Sequence, residues 1–142
     1  MVDGRLNTRN TQLTLLFVYG TLRRGLRLHH HMQGAVYVGE ARTAGSLYDI
    51  GTYPGLLLSP SCGWVSGELF KVDEKMIQSL DAVEEYNPEE PERSEYLREV
   101  VTVCTPTGAP MKAVTYIFNR DVRGFVFINS GDYKLYLERG CT

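Results

Sequence analysis

The sequence predicts an α+β domain: a small β-barrel with one principal helix. Three observations carry this reading. Apolar and β-branched runs are short and broken by turn residues, with 14 glycines among 142 residues. Only one segment, Asp73 to about Glu85, spaces its apolar residues as a helix does. A chain with that many strands also has edges to protect, and closure into a barrel removes them.

The length is that of one ordinary domain, large enough for a core without staples. Apolar residues make up 43% and charged residues 23%, both near the globular average. Residues 1–12 are polar and read as a flexible tail, with a single domain over 13–142.

Along the chain, Thr14 to Tyr19 reads as a strand ending at Gly20. Ala35–Thr43 and Ser46–Ile50 read as short strands with turns at Gly45 and Gly51. Gly63–Val72 reads as a strand with a bulge or bend at Gly67. The helix follows, capped by Asp73 and stopped before Pro88 and Pro91. Asn87–Ser94 is acidic and Pro-containing, hence a surface loop. Glu95–Cys104 and Lys112–Asn119 read as strands joined through Pro106, Gly108 and Pro110. Leu135–Arg139 reads as a last helical turn.

Composition also excludes classes of function. The net charge of −2 and the lack of a basic run argue against nucleic acid as partner. No apolar run approaches the ~20 residues of a membrane span. Three cysteines, Cys62, Cys104 and Cys141, fit reduced thiols in a cytoplasm better than a disulfide framework. None of them has the neighbours of a thiol nucleophile. His29, His30 and His31 are consecutive and diverge too far to share one ion, so no metal site is expected. Arg23 and Arg24 read as a solvated pair.

Two features point to chemistry. A strand that runs into Gly20 and Thr21 can aim several N–H groups at one point, a concavity that suits a carboxylate or phosphate. The turn is too short for a nucleotide-binding P-loop and lacks its lysine. The other feature lies on the helix. At ~100° per residue, Met76, Ile77, Leu80 and Val83 form one apolar stripe, with Glu74, Gln78 and Asp81 outside it. Glu84 falls within the stripe and Glu85 opposite it. An inward carboxylate has its pKa raised by desolvation, toward the range of a general base, unless Arg98 or Arg93 pairs with it. Tyr116 is a third candidate, since a phenol can cap a polar pocket.

These residues stand in a familiar order. Phe17-Val18-Tyr19-Gly20-Thr21-Leu22 resembles the Tyr-Gly-Thr-Leu signature of the γ-glutamylcyclotransferase-like family. Gly45-Ser46-Leu47-Tyr48-Asp49 followed by Tyr53-Pro54-Gly55 is similar to a second stretch, and Val65-x-Gly67-Glu68-Leu69-Phe70 to a third. Leu80-Asp81-Ala82-Val83-Glu84 resembles its helix end, and Tyr96-x-Arg98-x-x-Val101-x-Val103 its next strand. The resemblance spans residues 14–120. It implies a mixed β-barrel with short flanking helices and a substrate held in the barrel mouth. It implies cyclisation of a γ-glutamyl amine or peptide to 5-oxoproline, with the amine released, by the γ-glutamylamine cyclotransferase and avirulence-induced-gene-like branch. Glu84 would be the catalytic base. Tyr19, Gly20, Thr21, Leu22, Tyr53 and Tyr116 would bind the substrate, without metal or cofactor. A monomer or a homodimer would serve. The other reading is a binding or regulatory module that keeps the pocket without turnover. Glu85 stands where the family often has Gly.

Overall fold

A computed structural model describes residues 12–59 and 63–139. The N-terminal eleven residues of the expected tail, and Cys62 and Cys141, lie outside the described residues.

Seven strands form the sheet, and five of them close on themselves. β1 (Leu13–Val18) pairs antiparallel with β4 (Trp64–Asp73) and parallel with β6 (Pro110–Phe118). β6 forms a hairpin with β5 (Tyr96–Cys104). β2 (Val36–Asp49) pairs with β4 along its first half and meets β5 at Arg42↔Cys104, which closes the barrel. The one parallel pair makes the barrel mixed. The second half of β2 leaves the barrel and carries two flanking strands, β3 (Pro54–Leu58) and the short β7 (Val126–Phe127).

Two of these points correct the sequence reading. Val36 to Asp49 is one long strand, not two short ones, because Gly45 makes no turn and pairs in register with Leu58. Gly67 is not a bulge either; it sits in regular register opposite Ala41. What Gly67 provides is room, since a Cβ there would stand 2.4 Å from the Val18 carbonyl oxygen and 2.7 Å from the Phe17 ring. The irregularity of this pair of strands lies in β2, between Tyr37 and Gly39.

β1 is apolar on both faces, and the fold explains why. Phe17 packs into the barrel interior with Leu47, Leu56, Leu69 and Val103. Leu16 and Val18 point the other way, under helix α1 (Glu74–Val83), with Phe70, Ile77 and Leu80. A strand buried on both sides reads as a continuous apolar run. A second helix, α2 (Tyr133–Glu138), lies against the barrel through Tyr133 and Tyr136. No described helix is long and apolar enough to cross a membrane.

Candidate active site

The site is built where β1 runs out and α1 ends. After Val18 the chain turns through Tyr19-Gly20-Thr21-Leu22, and the Arg23 N–H closes the turn on the Gly20 carbonyl at 3.0 Å. The Leu28 N–H donates to the Thr21 carbonyl at 2.9 Å. Among the described residues nothing takes the N–H groups of Gly20, Thr21 or Leu22. Gly20 is required by a close approach: a Cβ there would stand 2.6 Å from Pro54 Cγ. The Tyr53-Pro54 segment therefore packs directly on the turn.

A cleft open to solvent lies over these groups. It is walled by the turn, by Thr115 and Tyr116 of β6, by Tyr96 of β5, by Tyr53 and Pro54, and by Glu84. A vestibule continues from it past Thr21, Tyr53 and Glu84 to Glu85 and Glu95.

Helix α1 delivers Glu84. Asp73 caps its start, accepting the Met76 N–H at 2.9 Å. At its end the Tyr86 N–H donates to the Asp81 carbonyl at 2.8 Å and the Glu85 N–H to the Ala82 carbonyl at 3.2 Å, the paired bonds of a Schellman stop. Glu85 takes the left-handed position at φ 55 and is exposed. Glu84, just before it, turns into the cleft. Its carboxylate makes no hydrogen bond or ion pair with a described residue. Burial raises its pKa, and the negative charge of Glu95 adds to this, so that it reaches about 7.

Arg98 and Arg93 are engaged elsewhere. Arg98 pairs with Asp81, and Arg93 with Glu90. Asp81 departs from the wheel, which puts it outside; it is 7% exposed and also accepts the Tyr116 hydroxyl at 2.7 Å. Two partners arriving from β5 and β6 draw it inward.

The phenols of the cleft are committed. Tyr19 donates to the Tyr116 carbonyl at 2.6 Å and accepts the Leu56 N–H at 3.3 Å. Tyr96 donates to the Pro54 carbonyl at 2.8 Å. Tyr53 donates to Glu95 at 2.7 Å; burial and that carboxylate push its pKa up to about 12. Desolvation likewise raises Tyr19, Tyr96 and Tyr116. These four rings shape the walls as neutral phenols, and the turn amides and the Glu84 carboxylate are left without partners among the described residues.

The residues singled out in the sequence thus meet in one place. Glu84, Tyr19, Gly20, Thr21, Leu22, Tyr53 and Tyr116 all line the cleft. Pro54, Tyr96, Thr115 and the Glu95 of the vestibule join them without being foreseen as site residues. Tyr96 could have been found from its place two residues before Arg98; Thr115 has no signal in the sequence. Arg23 is a correction. It is not a solvated residue but 6% exposed, paired with Glu68 at 3.3 Å and Asp132 at 3.0 Å. Among the described residues no group of three or more His, Cys, Asp or Glu could hold a metal ion.

Residues 16–135 match the model of the family described as gamma-glutamyl cyclotransferase, AIG2-like. The chain belongs to this family. A gamma-L-glutamyl-butirosin B gamma-glutamyl cyclotransferase of Niallia circulans is 37% identical over 85% of this chain and 76% of the relative. The gamma-glutamylcyclotransferase family protein YtfP of Escherichia coli is 34% identical over 83% of this chain and 94% of the relative. The crystal structure of an AIG2-like protein from Mus musculus superposes with a TM-score of 0.70 at 26% identity, covering 83% of this chain and 87% of that one. By family the chain is a cyclotransferase-like enzyme with the mixed barrel of its relatives.

Proposed function

We propose that the chain cyclises the γ-glutamyl group of a small γ-glutamyl amine or peptide to 5-oxoproline and releases the amine, with Glu84 as general base. The observation that carries this reading is an unpaired carboxylate, raised to about 7, across one cleft from three free backbone N–H groups.

The chemistry follows from those two elements. The α-amino group of a γ-glutamyl compound is an ammonium ion near neutrality and has no lone pair to offer. Glu84 takes one proton from it, a transfer its raised pKa favours. The freed nitrogen attacks the γ-carbonyl carbon, a five-membered ring closes, and the carbonyl oxygen becomes an oxyanion. Free turn amides are the kind of donor that holds such an oxygen, or the glutamyl carboxylate. Glu84 passes that proton to the departing nitrogen and the old amide C–N bond breaks; the ring nitrogen gives its second proton to the freed Glu84, which hands it to the amine, so that 5-oxoproline and an ammonium ion separate and Glu84 is again a carboxylate. Atoms and charge balance without a second substrate, and the residues present supply each role without a metal or cofactor. Holding nucleophile and carbonyl in one molecule within a fitted cleft supplies much of the rate.

The test is a panel of γ-glutamyl amines and peptides, with 5-oxoproline and free amine measured together. Equimolar release of both from at least one member is expected. Binding of the panel without release of either would instead leave a module that holds the γ-glutamyl group and does not turn it over.

A further inference from the structure

We propose that Glu68 is a positioning residue, which holds the cleft's turn from behind by binding Arg23 and Arg24 together. This rests on the reading above that the turn carries the γ-glutamyl group.

Glu68 lies on β4, opposite Val18 in the register, and is 1% exposed. It does not line the cleft. One of its oxygens accepts the backbone N–H of Arg24 at 2.9 Å. The other accepts Arg23 Nε at 3.3 Å and Lys134 Nζ at 3.1 Å. Arg23 reaches on to Asp132 at 3.0 Å, and Asp132 caps α2 by accepting the Leu135 N–H at 3.2 Å. The network therefore runs from the turn, through β4, to the first turn of the C-terminal helix.

Packing alone does not call for this arrangement. An apolar side chain of similar size would fill the position without removing an ion from water. What a carboxylate adds is direction. It grips two consecutive residues of the turn at once, one by its backbone and one by its side chain. With residues 23 and 24 held on the β4 side, the amides of Gly20, Thr21 and Leu22 stay unpaired over the cleft. Just past them the segment is open: Gly25 is exposed at φ 82, and the Arg24 side chain lies half-exposed on Tyr37. Burial would raise the Glu68 carboxyl, but the Arg24 N–H, Lys134 and Arg23 outweigh it and hold it below the usual carboxylate range. Lys134 and Asp132 thereby give the C-terminal segment a part in the site without lining it.

Two variants test this. Glu68→Gln keeps the size and an acceptor for the Arg24 N–H but loses the charge. The double variant Arg23→Gln/Glu68→Gln also removes the cation that the single change would leave buried. Backbone amide exchange is read first, because it needs no substrate. In a folded variant, exchange at the bonded turn amides of Arg23, Leu26 and Leu28 should quicken at least ~10-fold more than at Leu69, Val101 and Val103 of the barrel wall. On any substrate the wild type turns over, kcat/KM should fall by ~10²-fold, as expected for a misplacement of about 1 Å. The pH midpoint of activity should stay put, since Glu84 is untouched. Lys134→Met should act in the same direction and more weakly.

Exchange that quickens uniformly, full kcat/KM in the folded double variant, or unfolding of both variants would overturn the proposal and leave Glu68 as a core ion pair. A wild-type chain that turns over no γ-glutamyl compound overturns the proposed function instead. The exchange at Arg23, Leu26 and Leu28 then still decides whether Glu68 positions the turn.

Discussion

The Arg98 guanidinium pairs with Asp81 and not with Glu84, although both carboxylates belong to the last turn of one helix. Asp81 is the better partner because Tyr116 already donates to its other oxygen. The two carboxylates are thereby set apart. Asp81 is compensated and structural, and Glu84 keeps an unpaired charge at the edge of a cleft. Groups of one chemical type with divergent environments are a common basis for division of labour.

Replacing Glu84 by Gln keeps shape and removes the base. Turnover should fall by ~10²–10⁴-fold while binding of a γ-glutamyl ligand persists. The variant should also be at least as stable as the wild type above pH 7. A carboxyl whose folded pKa lies near 7 favours folding only while protonated, so its contribution is present below about 4.5 and is lost as pH rises through 7. The gain on substitution is of order 1–3 kcal/mol. Glu85→Gln should leave both properties nearly unchanged. Steady-state kinetics and thermal melts on the three proteins check this.

Activity should rise with pH through a midpoint near 7 as Glu84 ionises. Glu95→Gln removes a negative charge that disfavours the ionised form, so it should move the midpoint down. The midpoint should remain above 4.5, because burial is the larger cause of the shift. A midpoint that does not move, or moves up, would contradict this assignment of causes. The measurement is kcat/KM against pH for both proteins.

Asp81→Ala releases Arg98 and leaves the Tyr116 hydroxyl only the Ile77 carbonyl at 3.5 Å as acceptor. Stability should drop by about 1–3 kcal/mol. The released guanidinium becomes available to Glu84, so the pH midpoint of the activity that remains should fall. Denaturant unfolding and the same pH series report the two effects separately.

Glu85 holds a left-handed backbone at φ 55, a position that glycine occupies with less strain. Glu85→Gly should therefore stabilise the protein by about 1 kcal/mol. If the vestibule beyond Glu84 uses the Glu85 charge to receive a cationic amine, this variant will show a raised KM for cationic leaving groups and an unchanged KM for neutral ones.

Much of the barrel could be read before its structure. β1, β4, α1, β5 and β6 fall within a residue or two of their expected bounds, since each couples an apolar pattern to a clear stop. Gly45 and Gly67 misled, because glycine marks a close approach as readily as a turn, and only neighbouring strands distinguish the two. β3 escaped notice because Pro54 and Gly55 are poor strand formers that pair here on an edge. In the site, Glu84 was legible from helix phase. Asp81 and Arg23 were not, since both are drawn inward by partners far away in sequence, which local periodicity cannot reveal. The same limit hid Glu68, whose contacts come from residues 23, 24 and 134.

The closure between β2 and β5 is narrow: in register it is the single pair Arg42↔Cys104, reinforced by the Thr43 hydroxyl donating to the Thr102 carbonyl at 2.8 Å. Every other join of the barrel except β1–β6 is a ladder of several pairs. Such a joint opens more readily than the long ladders when the molecule breathes and locks later as it folds, because its two sides meet only after a long loop has closed. It lies at the end of β5 opposite Tyr96. Transient opening there can relieve the barrel while the wall that carries Tyr96 and Tyr116 stays shut.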